Sequence, residues 1–245
     1  MKAKKSLGQN FLKSEIALRK IIEAGEIKKT DAILEIGPGL GALTEKLLQT
    51  GAKIIAVEKD RGLFEFLKNK FASEIKNGKL ELVQEDVLHF EILKFFSGYP
   101  ASHRHHLKNL ESLHYKIIAN IPYNITGAIL KKFLTEKVQP ERMVLMVQNE
   151  VAKRIVASDG KESILSISVK AYGNPKIIMK VGARYFSPKP KVDSAIILIK
   201  EISRNIFEEN KIDEEKFWKI VKTGFSHKRK KLSGNLKSVI SSERL

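Results

Sequence analysis

The residues best suited to chemistry in this chain are consecutive: Asn120, Ile121, Pro122 and Tyr123. The Asn120 side-chain oxygen and the Ile121 carbonyl can each accept one N–H bond from the exocyclic amine of an adenine. Accepting both bonds would localise the amine lone pair and aim it at an electrophile, which is positioning and electrostatics rather than proton abstraction. Pro122 stiffens the turn through its fixed φ, and Tyr123 offers a ring on which a base can stack. A turn that simply ends a strand would also fit these four residues.

Two apolar segments place this sequence at the edge of a sheet. Residues 115–119 predict a buried strand, so Asn120 leaves its carboxyl end, where ligands of open α/β sheets bind. Residues 31–36 predict a second strand, which enters a glycine-rich turn at 37–41 and an amphipathic helix at 42–48. A strand, a glycine turn and a helix in this order bring backbone and a helix N-terminus close to a ligand.

Two further apolar segments end in carboxylates that suit a nucleotide cofactor. Glu58 lies 21 residues after Gly37, where a carboxylate can accept hydrogen bonds from both ribose hydroxyls. Asp86 follows the next predicted strand and is placed to accept from the amino group of a cofactor adenine. An NAD-binding domain would show a similar glycine turn. Glu35, directly before the glycines, and the strand end at Asn120 favour S-adenosylmethionine over a nicotinamide.

The chain resembles the small-subunit ribosomal RNA adenine dimethyltransferases, the family whose loss gives kasugamycin resistance in bacteria. Five motifs carry the resemblance, in order and over nearly the whole chain. They are Leu-Gly-Gln-Asn-Phe-Leu at 7–12, Glu-Ile-Gly-Pro-Gly-Leu-Gly-Ala-Leu-Thr at 35–44, Asn-Ile-Pro-Tyr-Asn-Ile at 120–125, and the segments at 143–154 and 186–194. The resemblance implies transfer of methyl groups from S-adenosylmethionine to N6 of two adjacent adenines near the 3′ end of small-subunit RNA, each methylated twice.

The resemblance also implies which residues bind the cofactor. They are Asn10 and Leu12 at its methionine end, Gly37 and Gly39 at its carboxylate turn, Glu58 at its ribose, Asp86 at its adenine ring, and Asn120 at the junction with the target base.

The implied catalytic residues are the strand-end sequence together with an aromatic residue much later in the chain. They are Asn120, Ile121, Pro122, Tyr123 and Phe186. Tyr123 and Phe186 would enclose the target adenine after it is splayed or flipped, because a stacked base cannot reach the pocket. Transfer would be direct and in line, from sulfonium to nitrogen, with no covalent enzyme intermediate.

Alternating β and α segments predict an α/β fold with a doubly wound parallel sheet, here a Rossmann-like methyltransferase sheet. The resemblance adds an antiparallel last strand and a small all-α C-terminal domain. An acid-rich segment at 208–215 marks a shift in charge, which we interpret as the boundary between the two domains. We therefore predict a cofactor-binding catalytic domain at 1–204 and a small, basic, helical RNA-binding domain at 205–245. Phe217 and Trp218 lie at helical spacing with later apolar residues and are expected to pack the core of the small domain.

The charge of the chain suits a polyanionic partner. Its 245 residues contain 45 Lys and Arg against 28 acidic residues, a formal net charge of +17. Residues 1–13 hold four lysines and no acid, and residues 216–245 hold nine basic residues against one acid. The basic sequence at 228–231 could be only a solvated helix face, but with the family resemblance we expect it to contact phosphate. The resemblance also implies that the partner is an assembly intermediate of the small ribosomal subunit.

Other classes of site and location are disfavoured by composition. The chain has no cysteine, which excludes disulfides and Cys-ligated zinc. Its histidines at 103, 105, 106 and 114 lack an accompanying carboxylate pattern, so we expect a solvated loop and no metal. No signal peptide or membrane-spanning apolar stretch is evident, and we expect a cytoplasmic monomer.

Three alternative functions remain open from the sequence. A related resistance dimethylase that acts on large-subunit RNA is disfavoured by the motifs at 7–12 and 143–154. An adenine-N6 DNA methyltransferase is disfavoured because no separate target-recognition domain is visible in 245 residues. A non-catalytic ribosome-assembly or transcription factor on the same fold is disfavoured by the presence of Gly37, Glu58, Asp86 and Asn120.

Overall fold

The computed structural model of the protein describes residues 4, 7–93, 114–157, 159–227 and 229–241. The segment that contains His103, His105 and His106 lies outside the described residues, and so does Lys228.

The strands of the described residues form one large sheet and one small one. They are β1 (Phe11–Leu12), β2 (Ala32–Ile36), β3 (Lys53–Glu58), β4 (Leu80–Gln84), β5 (Tyr115–Asn120), β6 (Arg142–Gln148), β7 (Asn174–Val181), β8 (Phe186–Ser187) and β9 (Ser194–Lys200). In the large sheet the order is β4-β3-β2-β5-β6-β9-β7, and β1 pairs with β8 by itself. β9 runs antiparallel to both β6 and β7. The α/β fold is confirmed, including the antiparallel last strand that the resemblance implied; a wholly parallel sheet, as the alternation alone suggested, was wrong.

The strand order places a ligand site between β2 and β5. From β2 the chain adds β3 and β4 on one side, and then returns to add β5 and β6 on the other. Such a reversal opens a crevice at the carboxyl ends of the two central strands. The glycine turn follows β2, and Asn120 is the last residue of β5. The topology therefore brings the two predicted motifs together.

Helices cover both faces of the large sheet. They are α1 (Glu15–Gly25), α2 (Ala42–Leu48), α3 (Arg61–Lys70), α4 (Ala72–Lys76), α5 (Thr126–Thr135), α6 (Asn149–Val156), α7 (Ile164–Lys170), α8 (Asn205–Glu209), α9 (Glu214–Gly224) and α10 (Leu232–Ser241). Two apolar cores result, one on each face, and every residue of β2 is buried. Strands covered on both faces are mostly apolar for this reason, and Glu35 is the one polar residue of β2.

Several elements near the site were not predicted from the sequence. Among them is α1, whose first turn is capped by Ser14, which accepts from the backbone N–H of Ala17 at 3.2 Å. The β1–β8 pair was also missed, because two-residue strands carry no periodic pattern. It joins Leu12 to Phe186 across the molecule.

The C-terminal helices pack directly on the catalytic part of the chain. Phe217 and Trp218 lie against the core cluster that includes Phe207 and the strands of the large sheet. The Trp218 Nε1–H donates to the Tyr172 hydroxyl at 3.0 Å, and Tyr172 in turn donates to Glu214. These aromatic residues therefore pack as expected, but they attach α9 to the sheet instead of forming a separate core. The domain boundary at 204/205 stays a prediction.

Among the helices of the described residues, none combines the length and the apolar character that crossing a membrane requires.

Candidate active site

A cavity of about 550 Å³ opens at the crevice between β2 and β5. This volume lies in the range of small-molecule and cofactor sites. Its lining includes all the site residues predicted from the sequence except Phe186: Asn10, Leu12, Gly37, Gly39, Glu58, Asp86, Asn120, Ile121, Pro122 and Tyr123. Residues that are up to 113 positions apart in the chain thus share one cavity wall.

The glycine turn needs glycine for two different reasons. Gly37 and Gly39 have φ values of 64° and 62°, in the left-handed region that residues with a Cβ rarely adopt. A Cβ on Gly39 would also lie 2.9 Å from a ring carbon of Phe11. The turn therefore allows β1 to approach the cofactor side of the cavity closely.

Glu58 presents a buried carboxylate to the cavity. Its side chain accepts from the backbone N–H of Gly39 at 3.2 Å and from that of Asp60 at 2.8 Å. Burial raises the pKa of Glu58 above its usual value, and the two backbone hydrogen bonds oppose that shift. Each oxygen of a carboxylate can accept more than one hydrogen bond. Glu58 therefore keeps capacity to accept from ribose hydroxyls, and the backbone of the glycine turn holds it in place.

Asp86 has a partner that the sequence did not reveal. Its Oδ1 accepts from the backbone N–H of Leu88 at 3.0 Å, and its Oδ2 accepts from Lys59 Nζ at 2.8 Å. The Lys59 hydrogen bond lowers the pKa of Asp86, so the carboxylate is ionised at neutral pH. The adenine end of the predicted cofactor site thus carries a lysine as well as the carboxylate.

A second carboxyl group lies behind the glycine turn. Glu35 is 1% exposed and accepts from the Thr44 hydroxyl at 2.7 Å. Burial raises its pKa to about 8, so Glu35 is mostly protonated and uncharged at neutral pH. The nearby Glu58 raises the pKa further in the same direction. An uncharged Glu35 adds no negative charge beside Glu58 in this part of the cavity wall.

The side chain of Asn120 is oriented by the N-terminal segment. Its Nδ2 donates to the main-chain carbonyl of Asn10 at 3.0 Å, which assigns Oδ1 as the free acceptor of the amide. Asn10 is held in turn, since its own Nδ2 donates to the carbonyl of Gly8 at 3.0 Å. Asn120 is therefore placed to accept a hydrogen bond from an amine in the cavity.

Tyr123 lies in a short 3₁₀ turn (Tyr123–Ile125) directly after the strand end. Its hydroxyl shares a hydrogen bond of 2.5 Å with the hydroxyl of Ser194 on β9. Burial raises the pKa of the Tyr123 phenol, so the ring is neutral. Ser194 is the last residue of the fifth motif, but nothing in the sequence pointed to this contact.

Phe186 occupies a different place from the other predicted residues. It lies on β8 opposite Leu12, is 4% exposed, and belongs to an apolar core cluster rather than to the cavity lining. Its role against the target base stays a prediction.

In the described part of the chain, no group of three or more potential metal ligands is clustered.

The family model described as ribosomal RNA adenine dimethylase matches residues 1–245 of this chain. The chain belongs to this family. Curated relatives agree: ribosomal RNA small subunit methyltransferase A of Dehalococcoides mccartyi strain CBDB1 is 43% identical over 232 residues, which cover 95% of this chain and 74% of that protein. The protein of the same name from Fusobacterium nucleatum is 41% identical over 238 residues, covering 96% and 83% of the two chains.

Solved structures of similar proteins share the fold of this ribosomal RNA adenine dimethylase. A dimethyladenosine transferase from Plasmodium falciparum superposes with a TM-score of 0.73 at 30% identity, covering 95% of this chain and 77% of that one. The 23S rRNA methyltransferase ErmE superposes with a TM-score of 0.73 at 26% identity, covering 94% and 84%.

As a ribosomal RNA adenine dimethylase, the protein is an S-adenosylmethionine-dependent methyltransferase that dimethylates adenine in ribosomal RNA. The cavity fits that cofactor: Gly37 and Gly39 of the glycine turn, a buried carboxylate at Glu58 and an ionised carboxylate at Asp86 line one continuous space. The family assignment decides against a DNA methyltransferase.

Proposed function

We propose that this enzyme transfers methyl groups from S-adenosylmethionine to N6 of two adjacent adenines near the 3′ end of small-subunit ribosomal RNA, during ribosome biogenesis. The observation that carries the proposal is the shared cavity, in which Glu58 and Asn120 line one space at the reversal of strand order. The choice of the small subunit is supported by the names of the relatives at 43% and 41% identity.

The cofactor is held by residues of the first two motifs and by two carboxylates. Gly37 and Gly39 allow its methionine carboxylate to approach the backbone, and Asn10 and Leu12 line the same end of the cavity. Glu58 accepts from the ribose hydroxyls. Asp86 accepts from the adenine amino group, and it also accepts a hydrogen bond from Lys59 Nζ.

The site acts by aligning a weak nucleophile, the adenine amine, with the methyl group to be transferred. Bound S-adenosylmethionine supplies a methyl group on a positively charged sulfur. Asn120 Oδ1 and the Ile121 carbonyl accept the two amine N–H bonds, which localises the nitrogen lone pair and points it along the line of transfer. Asn10 contributes by holding the Asn120 amide in the orientation that leaves Oδ1 free.

The target base is held by stacking. Tyr123 lines the same cavity as Asn120. We propose Phe186 as the second aromatic contact, which requires its buried ring to turn from the core towards the cavity. The base enters after it leaves the RNA stack.

The RNA is bound by the basic C-terminal helices together with the catalytic part of the chain. Arg229, Lys230 and Lys231 are exposed directly before α10, where they can contact phosphates. The packing of Trp218 on Tyr172 fixes these helices relative to the cavity. We also propose that the enzyme is a monomer and acts in the cytoplasm, where its ribosomal substrate is assembled.

The likeness to ErmE supports one second candidate, a dimethylase of large-subunit RNA. The deciding experiment supplies tritiated S-adenosylmethionine to purified, undermethylated small subunits and, separately, to large subunits, and then maps the labelled nucleotides. We expect dimethyladenosine at two adjacent positions of small-subunit RNA. Label confined to large-subunit RNA would establish the second candidate, and an Asn120→Ala protein serves as the inactive control.

A further inference from the structure

The ring of Tyr123 is held by a residue to which no function has been assigned. The hydroxyls of Tyr123 and Ser194 share a hydrogen bond of 2.5 Å, in which either can donate. Ser194 is fully buried at the start of β9, opposite Gln148 of β6, whereas Tyr123 lines the cavity. The contact therefore connects the cavity wall to the interior of the sheet.

Both ends of this contact are anchored. The residue before Ser194 is fixed twice: the Asp193 carbonyl accepts from the backbone N–H of Asn149 at 2.9 Å, and its Oδ1 accepts from that of Ala183 at 2.9 Å. The Tyr123 carbonyl accepts from the hydroxyl of buried Thr126 at 3.1 Å. With its main chain fixed, the Tyr123 ring keeps freedom about two side-chain torsions, and the bond to Ser194 restricts both. Ser194 thus sets the plane of the Tyr123 ring and its position in the cavity wall.

The two methyl transfers place unequal demands on this ring. In each transfer the amine nitrogen forms an N–C bond, the S–C bond breaks with its electron pair passing to sulfur, and one amine proton leaves to water. The products are a methylated amine, S-adenosylhomocysteine and a proton. An unmodified adenine amine has two N–H bonds for Asn120 Oδ1 and the Ile121 carbonyl, but a monomethylated amine has one. The second transfer therefore depends more strongly on stacking to align the base.

We propose that Ser194 is a positioning residue for the second methyl transfer: by holding the ring of Tyr123, it keeps the monomethylated adenine aligned and makes dimethyladenine the main product. The inference rests on the proposed function, since it uses the same base, the same amine acceptors and the same stacking ring.

The test compares Ser194→Ala with Tyr123→Phe, because each removes the same hydrogen bond from a different side. Each variant and the wild type act on undermethylated small subunits under single-turnover conditions, and monomethyl- and dimethyladenosine are quantified after digestion of the RNA. We expect the second transfer to slow by about 2–10-fold, the effect of one lost hydrogen bond. The first transfer should slow less, and the subunit concentration that gives half the maximal single-turnover rate should stay near the wild-type value. The double variant should be no slower than either single one.

Ser166→Ala is the matched control. Ser166 is equally buried and its hydroxyl donates to the Ser163 carbonyl at 2.9 Å, but it does not line the cavity. It should lower thermal stability without changing the ratio of monomethyl to dimethyl product. The inference is overturned if both test variants keep the wild-type ratio, or if Ser166→Ala raises that ratio equally. Tyr123→Phe keeps the test decisive should Ser194→Ala fold poorly. A wild-type protein that methylates no adenine of the small subunit would instead refute the proposed function.

Discussion

The side-chain amide of Asn120 donates to the main-chain carbonyl of Asn10 at 3.0 Å, across 110 positions of the chain. The contact joins the end of β5 to the segment just before β1. It gives the Asn120 amide one orientation, with Nδ2 engaged and Oδ1 free. The first motif therefore orients the Asn120 amide of the third, and leaves Oδ1 free for the role in holding the amine that we propose.

Loss of that acceptor should affect the rate far more than cofactor binding. Asn120→Ala removes one of the two groups that we propose to align the amine, and alignment matters most at the transition state. We expect kcat to fall by at least about 100-fold, while the Kd for S-adenosylmethionine changes by less than about tenfold. Single-turnover methylation of small subunits and calorimetric titration with the cofactor measure the two quantities. Near-wild-type turnover with alanine at 120 would refute the role in holding the amine.

Loss of the Glu58 carboxylate should weaken cofactor binding. Glu58→Ala removes the acceptor proposed for the ribose hydroxyls, and a hydrogen bond to a charged group contributes about 1–3 kcal/mol. Calorimetry should therefore show a higher Kd for S-adenosylmethionine. Glu81→Ala is a suitable control, because Glu81 lies on the adjacent strand outside the cavity lining. A Kd unchanged in Glu58→Ala would show that the ribose is held elsewhere.

Stability should depend on pH through Glu35. Its pKa is raised from 4.5 to about 8 in the folded protein. At a pH between these two values, Glu35 therefore takes up a proton when the protein folds. The folded state then binds more protons than the unfolded state, and the contribution of Glu35 to stability, full at low pH, is lost as pH rises towards 8. The loss is at most about 1.4 kcal/mol per pH unit.

The measurement is urea unfolding of the wild type and Glu35→Gln at pH 5, 6, 7 and 8. Glutamine stays neutral and can still accept from Thr44, so the variant should become more stable relative to the wild type as pH increases. Parallel pH profiles for the two proteins would mean that Glu35 does not change its protonation on folding.

The basic sequence at 228–231 should contribute affinity that depends on salt. Replacement of Lys228, Arg229, Lys230 and Lys231 by glutamine should remove the phosphate contacts that we propose and the release of counterions that accompanies them. The log–log dependence of subunit binding on salt should flatten by about 0.9 per lost contact or somewhat less, while S-adenosylmethionine affinity is unchanged. Tyr123→Ala is the contrasting variant, because stacking contributes about 1–3 kcal/mol per base with little salt dependence. A wild-type salt slope in the glutamine variant would identify these residues as a solvated face.

The sequence by itself determined the family, the α/β fold and ten of the residues that line the cavity. Local signals indicated the glycine turn, Glu58, Asp86 and the strand end at 120–123, because glycines at a strand-to-helix turn and polar residues at strand ends predict a ligand site at fixed spacing. Asn10 and Leu12 were implied only by the family resemblance. The carboxyl ends of parallel strands share one edge of the sheet, so Glu58 and Asn120 could be placed together without knowledge of the register.

Only the tertiary structure decided which distant residues touch. Ser194 faces Tyr123 because β9 enters antiparallel beside β6, and a shift of one residue in that register would turn the side chain to the opposite face. The two-residue strands that bury Phe186 beside Leu12, like the packing of Trp218 on Tyr172, have no periodic pattern that would predict their partners. Residue spacing along the chain specifies turns and the apolar periodicity of helices and strands. Contacts between remote segments depend instead on strand order, register and packing.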